Sequence, residues 1–562
     1  MHRCLEIREI QRIIFDALSM LGEEELPTLA RLARTCRSFS DSALDVLWEY
    51  QANLCPLIQV MPPDLWAVFE GSDMAQTEMY EEESFPVDVI NFVRELEESD
   101  WSERFFYYGR KIRELGSPPA PLYERVDTEV LMALSAYRPA HSPLSTPALN
   151  PLPNLRKLRL YLDDERVVES FPYMQFLLSP SITDLYLEGY SGLPPLSAIS
   201  RICYRIDTLV IDACDIEPSE DISAIHRFIC RLQHLRYADF RGIIPSREAM
   251  LYLSKLESLY SLRFNLHSVP MSDVDFQLFT VDNGRFANVR KIDLIVQSWD
   301  MATQIVDSMH CPFGSFSIFQ GSRPGPANAF AGKLIGALMR NTSLASSLSH
   351  LSIRGHLNDD MEPSKALQAL FPLRALQYIK LRFDAPLNRL DNRWLSKAAH
   401  SWPDLRTFIL LVESGEETLM TLEGLIPLIH QCLHLDELCV SAVWKPFNIH
   451  LLKGKYNLQI TSLEYFPWGI ESPTELSKCL RAMFPWLERL DWAGGWNGKD
   501  SLRVPSDSAA SETENEVGSS DETESAGDEK PKEKIDSLDH QKPFLELRKL
   551  LEADSMHELM TN

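Results

Sequence analysis

Apolar and polar positions in the first fifty residues follow a helical period. Leu5, Ile7, Ile10, Ile13, Ile14, Ala17, Leu18 and Leu21 are apolar, while Glu9, Gln11, Arg12 and Asp16 fill the other face from Ile10 onward. Gly22 and Pro27 bracket a break. A second helix is expected in LPTLARLARTCRSF, with Leu26, Leu29, Ala30, Ala33 and Cys36 as its stripe and Thr28 placed to cap its start behind Pro27. A third apolar cluster, Ala43, Leu44, Leu47 and Trp48, follows Asp41 and Ser42. Three short helices make a small core that is marginal alone and leaves apolar surface for a partner to cover.

Between about 151 and 500 the pattern changes to apolar, two residues, apolar, one residue, apolar. Clear copies are Leu155-Leu158-Leu160, Ile182-Leu185-Leu187, Ile206-Leu209-Ile211, Leu259-Leu262-Phe264, Leu376-Ile379-Leu381 and Leu435-Leu438-Val440, and Phe313-Phe316-Ile318 is a weak one. Thirteen copies run from Leu155 to Leu487, and successive starts lie 24 to 35 residues apart. The alternating end of each copy predicts a short strand. Stretches after it, such as DISAIHRFICRL and TLEGLIPLIHQCL, have helical spacing. A strand and then a helix, repeated near the 20–29-residue period, is the signature of leucine-rich repeats. The expected fold is an α/β solenoid of irregular repeats, without an Asn or Cys ladder, with parallel strands on its concave face. Thirteen strands at about 4.8 Å span on the order of 60 Å, which suits a protein-sized ligand. The positions flanking the apolar ones, such as Arg156, Lys157 and Arg159 or Asp184, Tyr186 and Glu188, vary along the array and name no ligand.

Five segments follow: a helical module at 1–50, a Pro-rich helical connector and cap at 51–150, the repeats at 151–500, an acidic tail at 501–541 and a terminal helix at 542–562. Helices are expected in VDVINFVRELEES, SERFFYYGRKIREL and YERVDTEVLMALSAY. RPGPANAFAGKLIGALMR, within the longest interval, reads as a loop on the binding rim leading into a helix. Residues 504–540 hold 12 acidic residues, three lysines and no aromatic, a composition that cannot bury enough apolar surface to fold. Serines and threonines in SSDETESAGDE precede acidic residues, which suits acid-directed kinases; a plain solvating tail fits as well.

The formal charge of −26 argues against nucleic-acid binding through a broad basic face. No apolar run reaches the roughly 18 residues of a membrane span, and charges interrupt the N-terminal apolar positions, so no secretory leader is read. The ten cysteines form no C-x-x-C pair. His430, Cys432, His434 and Cys439 fit no common zinc spacing and overlap a repeat, so they read as core residues. Gly332-Lys333 lacks the rest of a phosphate-binding loop, and neither G-x-S-x-G nor H-E-x-x-H occurs. No cofactor, metal or catalytic residue is expected, and the chain reads as non-enzymatic. Its expected location is intracellular, cytoplasmic or nuclear, where the Asn341-Thr342-Ser343 sequon would stay unmodified.

Ile7, Glu9-Ile10, Ile14-Phe15, Leu18, Leu29, Leu32, Cys36-Arg37, Phe39 and Leu47-Trp48 occur in the order of the F-box pattern. Over about 45 residues the chain resembles F-box proteins with C-terminal leucine-rich repeats, of the kind abundant in mushroom-forming fungi. It departs at Arg8, where many members carry Pro. The resemblance implies a Skp-type adaptor as partner and, through it, the cullin and RING subunits of an SCF-type ubiquitin ligase. It implies adaptor contacts among Leu5, Ile7, Ile10, Ile14, Phe15, Leu29, Leu32 and Trp48. The same residues also suffice as the internal core of three helices. The repeats would hold a target whose identity the sequence does not give. The alternative is a stand-alone repeat scaffold whose acidic tail binds basic partners such as histones.

Overall fold

The computed structural model describes residues 5, 7–20, 26–70, 74–75, 85–86, 88–101, 103–116, 124–136, 150–161, 171–188, 196–212, 220–276, 279, 286, 288–309, 312–321, 331–341, 346–355, 363–383, 390–412, 419–443, 445–468, 472–487 and 489–492. The expected rim loop at 322–330, the acidic tail and the terminal helix lie outside them, as do Thr342 and Ser343. The chain divides into two compact units, Met1–Val289 and Arg290–Asn562.

The first unit opens with three helices, α1 (Arg8–Ser19), α2 (Leu26–Thr35) and α3 (Arg37–Glu49). Helix α2 begins at Leu26, so Pro27 and Thr28 lie inside its first turn and Thr28 is not its cap. A proline is tolerated there because the first-turn N–H groups have no intrahelical partner. Phe15, Leu29, Ala43 and Val46 meet as the core, with Leu18, Leu32, Ala33, Phe39 and Leu47 packed around it. The Phe15 and Phe39 rings meet edge-to-face at 5.7 Å.

The chain continues through β1 (Tyr50–Gln51), α4 (Cys55–Gln59), β2 (Trp66–Phe69), β3 (Met74–Ala75), β4 (Phe85–Pro86), β5 (Asp88–Phe92), α5 (Glu103–Gly109), β6 (Glu114–Leu115), β7 (Glu124–Val126) and α6 (Thr128–Ala136). The helix expected over VDVINFV is instead the strand β5. It pairs antiparallel with β2 and parallel with β7, and five residues with Ile90 inward satisfy a strand as well as a helix. The other two expected helices are shorter than their patterns. The first, α5, ends at Gly109, four residues before β6, and the second, α6, is preceded by β7.

The repeats of this unit give β8 (Lys157–Tyr161), β9 (Asp184–Glu188), β10 (Thr208–Asp212), β11 (Tyr237–Arg241) and β12 (Ser261–Leu266). The sheet runs β1-β6-β8-β9-β10-β11-β12, each strand parallel to the next. Helices Leu196–Ile202, Glu220–Ile229 and Arg247–Leu253 make the return passes.

The second unit repeats the plan with β13 (Lys291–Val296), β14 (Ser315–Gln320), β15 (His350–Gly355), β16 (Tyr378–Phe383), β17 (Thr407–Val412), β18 (Glu437–Val443), β19 (Ser462–Trp468) and β20 (Arg489–Trp492), again in order and parallel. Its longer helices include Trp299–Ser308, Ala331–Arg340, Asn392–Ser401 and Pro473–Met483. Ser298 and Asp391 cap two of these by accepting backbone N–H groups at 3.3 and 2.9 Å. Within each unit this is the α/β solenoid read from the repeats.

One hydrogen-bond motif links turn to turn. The carbonyl just before a strand accepts two N–H groups from the start of the next strand. Arg156 O receives Thr183 and Asp184, and Arg406 O receives Asp436 and Glu437. The second and third apolar residues of each triplet point at the helices, as with Leu158 and Leu160 or Ile379 and Leu381, all buried. Arg113 O accepts Arg156 and Lys157 in the same way, so the motif reaches one strand earlier, to β6, than the sequence pattern.

Candidate functional site

Two surfaces can hold partners: the outer face of the helical module and the strand faces of the repeats. Helix α1 is apolar on two sides. Phe15, Leu18 and the aliphatic part of Gln11 turn inward, with Phe15 3% exposed. At 100° per residue, Ile13 and Met20 fall on the opposite side, Ala17 and Ile10 flank them, and Ile14 lies at the border with the inward stripe. Ile13 and Met20 are 68% and 85% exposed, and Ile7, Ile14 and Leu26 are exposed too. A helix that buries one stripe and leaves a second in water presents a ready docking face.

The expected adaptor contacts therefore separate. Ile7 and Ile14 are exposed, and Leu5 and Ile10 are half-buried. Phe15 and Leu29 lie in the interior, and Leu32 packs against them. Trp48 is half-buried and stacks on Tyr108 of α5 at 4.4 Å. Ile13 and Met20 are the surface residues that the sequence reading passed over. Their signal was the stripe i, i+3, i+7 from Ile10, Ile13 and Ala17.

Charge fixes this module to the chain that follows. Asp41, Asp45 and Glu49 recur every fourth residue along α3. Arg8 pairs with Asp45 at 2.8 Å, and Arg12 pairs with Glu49 and, at 2.8 Å, with Asp16. From the other side Tyr107 donates to Asp41 at 2.7 Å, Lys111 pairs with Asp45, and Arg113 meets Glu49 at 3.3 Å. Burial pushes the Asp45 carboxyl up, but hydrogen bonds from Lys111 and Arg8 outweigh it and hold it below the usual carboxylate range. Backbone joins the same parts: Arg113 N donates to Glu49 O at 2.8 Å, and β1 pairs with β6.

The strand face of the first unit carries buried charge. Arg241 lies 3.2 Å from Asp239, 3.4 Å from Asp212 and 3.7 Å from Glu188, and Arg263 reaches Asp239 at 3.9 Å. Burial raises the Asp239 carboxyl above its ordinary range, beyond what Arg241 and Arg263 offset. Beside this group the Arg159 guanidinium sits 4.5 Å above the Tyr186 ring.

The strand face of the second unit differs. His350 and Tyr378 stack at 4.0 Å, Arg354 lies 5.0 Å over Phe319, and Lys380 approaches Glu437 at 3.8 Å. Further along, Ile409, Leu411 and Cys439 form a buried apolar cluster on positions where the repeats usually carry polar residues. The unbroken run FILLV was the sequence signal for it.

Among the described residues, no group of His, Cys, Asp and Glu could hold a metal. His430 Nε2 is 3.0 Å from Leu452 O, and burial pushes the Cys432 thiol up to about 12. No helix among the described residues is long and apolar enough to cross a membrane.

No family model matches the chain. No curated protein matches it either. Among solved structures it is similar to a chain of the yeast Rad7 and Elc1 complex, at 13% identity and a TM-score of 0.33, covering 64% of this chain and 78% of that one. It is also similar to a chain of the TLR13–ssRNA13 complex, at 12% identity and a TM-score of 0.32, covering 68% of this chain and 50% of that one.

Proposed function

We propose that this chain is a non-catalytic substrate-recognition subunit of an SCF-type ubiquitin ligase. The exposed apolar residues along α1 and at its ends, Ile7, Ile13, Ile14 and Met20, with half-buried Ile10 beside them, bind a Skp-type adaptor and through it the cullin and RING subunits. The strand faces of the repeats hold a target protein. The single observation that carries this reading is the second apolar stripe of α1, exposed to water on a helix whose sequence resembles the F-box. The salt-bridged junction between α3 and residues 107–113 supports it, because it ties the helical module to the chain that leads into the repeats of the first unit. The chemistry is proximity: a lysine of the target is held near a ubiquitin-carrying enzyme, and no residue of this chain reacts.

The test is co-expression with a Skp-type adaptor and size-exclusion chromatography of wild type and Ile10→Asp/Ile13→Asp. Co-elution lost in the variant, with its circular dichroism unchanged, supports the adaptor contact. A folded wild-type chain that never co-elutes overturns it and favours the stand-alone scaffold. Salt-sensitive histone binding independent of α1 would then be the next measurement.

A further inference from the structure

Unit 2 ends in an exposed apolar patch that the earlier turns of that unit do not share. In each turn a short loop leads from the helix into the next strand. Two residues ahead of the first triplet position stand Arg374 and Pro403 in earlier turns, but Leu433 and Leu458 in later ones, with Trp486 one residue ahead of Leu487. Leu433 is 69% exposed, Trp486 61% and Tyr456 54%, and Leu458 is exposed as well.

These loops are neighbours. Asn457 Nδ2 donates to Leu435 O at 2.7 Å, and Asn457 N donates to Met483 O at 2.8 Å, so one residue ties all three together. Strands β18, β19 and β20, which the loops enter, are adjacent and in register through Leu438, Leu463 and Leu490. The turn at 449–452 joins the same end through the His430–Leu452 hydrogen bond, with Ile449 and Leu451 exposed. Lys453 and Lys455, both exposed, lie just before Tyr456.

An open repeat end needs a cover. The chain supplies one with matching chemistry. After Trp492, fifty residues lead to Pro543, and PFLELRKLLE then places Phe544, Leu547, Leu550 and Leu551 on one helical stripe with Glu546 and Glu552 beside it. Fifty residues are enough chain to span about 40 Å at random-coil dimensions, the reach needed for a patch beside β20. Such a tether gives an effective concentration on the order of 1 mM. The acidic composition of residues 504–540 is complementary in charge to Lys453 and Lys455.

We infer that residues 543–552 dock as an amphipathic helix on the patch formed by Leu433, Tyr456, Leu458 and Trp486 and cap the last turns of unit 2. This inference does not depend on the adaptor reading.

Hydrogen exchange measured by mass spectrometry on the full chain tests it. The chains compared are wild type, Leu433→Ser/Trp486→Ser and Leu547→Asp/Leu551→Asp. The second variant alters only the segment, so it leaves the fold of the repeats untouched. The expected result is amide exchange in 543–552 slowed about tenfold or more in wild type, released in both variants. Exchange in 449–460 should quicken in the segment variant, while strands β13–β17 keep their protection in all three. Exchange of 543–552 at the unprotected rate in wild type overturns the inference, as does protection that survives the patch variant. Protection that fades on dilution assigns the patch to a second copy of the chain and equally overturns it.

Discussion

Ser42 donates its hydroxyl to Oε1 of Gln11 at 2.7 Å inside the helical module, and Gln11 Nε2 donates onward to Leu5 O at 2.6 Å. Both side chains are buried, so each polar atom depends on the other for the hydrogen bond that water would otherwise give. Ser42→Ala leaves the Gln11 carbonyl unpaired and is expected to cost about 1–3 kcal/mol in urea unfolding. Adding Gln11→Leu should recover part of that loss, because an apolar pair leaves no unmet acceptor.

Phe15 and Ile13 are two residues apart and behave oppositely. Phe15→Ala removes the centre of the core and should cost about 3–5 kcal/mol. Ile13→Ala should stay within about 0.5 kcal/mol of wild type. Thermal unfolding of the two variants decides whether α1 lies as described; equal losses would contradict it.

Acid should loosen the junction. The folded Asp45 carboxyl titrates below its usual value, so its ionised form is the one the fold favours. Its contribution is complete above the ordinary carboxylate pKa of about 4 and is lost as pH falls through the depressed folded value. Asp45→Asn should flatten that part of the stability–pH curve. An unchanged acid limb in the variant would show that the pairs with Arg8 and Lys111 contribute nothing.

Arg241 lies against three carboxylates on a face where it is itself buried. Arg241→Met is expected to destabilise by about 3–5 kcal/mol, the range for stripping one partner from a buried pair. The loss should shrink at low pH, because Asp239, already raised by burial, takes up a proton most readily. Denaturation of the variant at neutral and acid pH gives both readings.

Gly116 sits at φ +113°, and a Cβ there would lie 2.2 Å from Arg159 O. Its N–H donates to Gln51 O at 3.0 Å, so the backbone cannot retreat without losing β1. Gly116→Ala should destabilise by about 1–3 kcal/mol or more and raise exchange at Tyr50 and Gln51. A silent substitution would mean that the β6 turn has room to move.

The repeats were legible because a strand that buries alternate residues against helices writes its period into the sequence. Leu185 and Leu187, or Phe316 and Ile318, can be placed from spacing alone, even in the weak copy. The strands β1 and β6 were not legible. Each is two residues long, too short for a period, and exists because Arg113 and Gly116 donate to carbonyls at 49 and 51. The segment at β5 was misread for a related reason: five apolar-rich residues satisfy either period, and pairing with β2 and β7 settled the matter.

By itself the sequence determined the strand and helix order of the repeats, the three N-terminal helices and the solenoid class, since these follow from local periodicity and burial of one face. The tertiary structure decided which apolar residues of α1 turn inward, that Trp48 stacks on Tyr108, and that Arg241 gathers three carboxylates. Those facts depend on which elements pack together across tens of residues. A hydrophobic stripe says that a surface wants to be covered, and only the fold says whether the chain itself has already covered it.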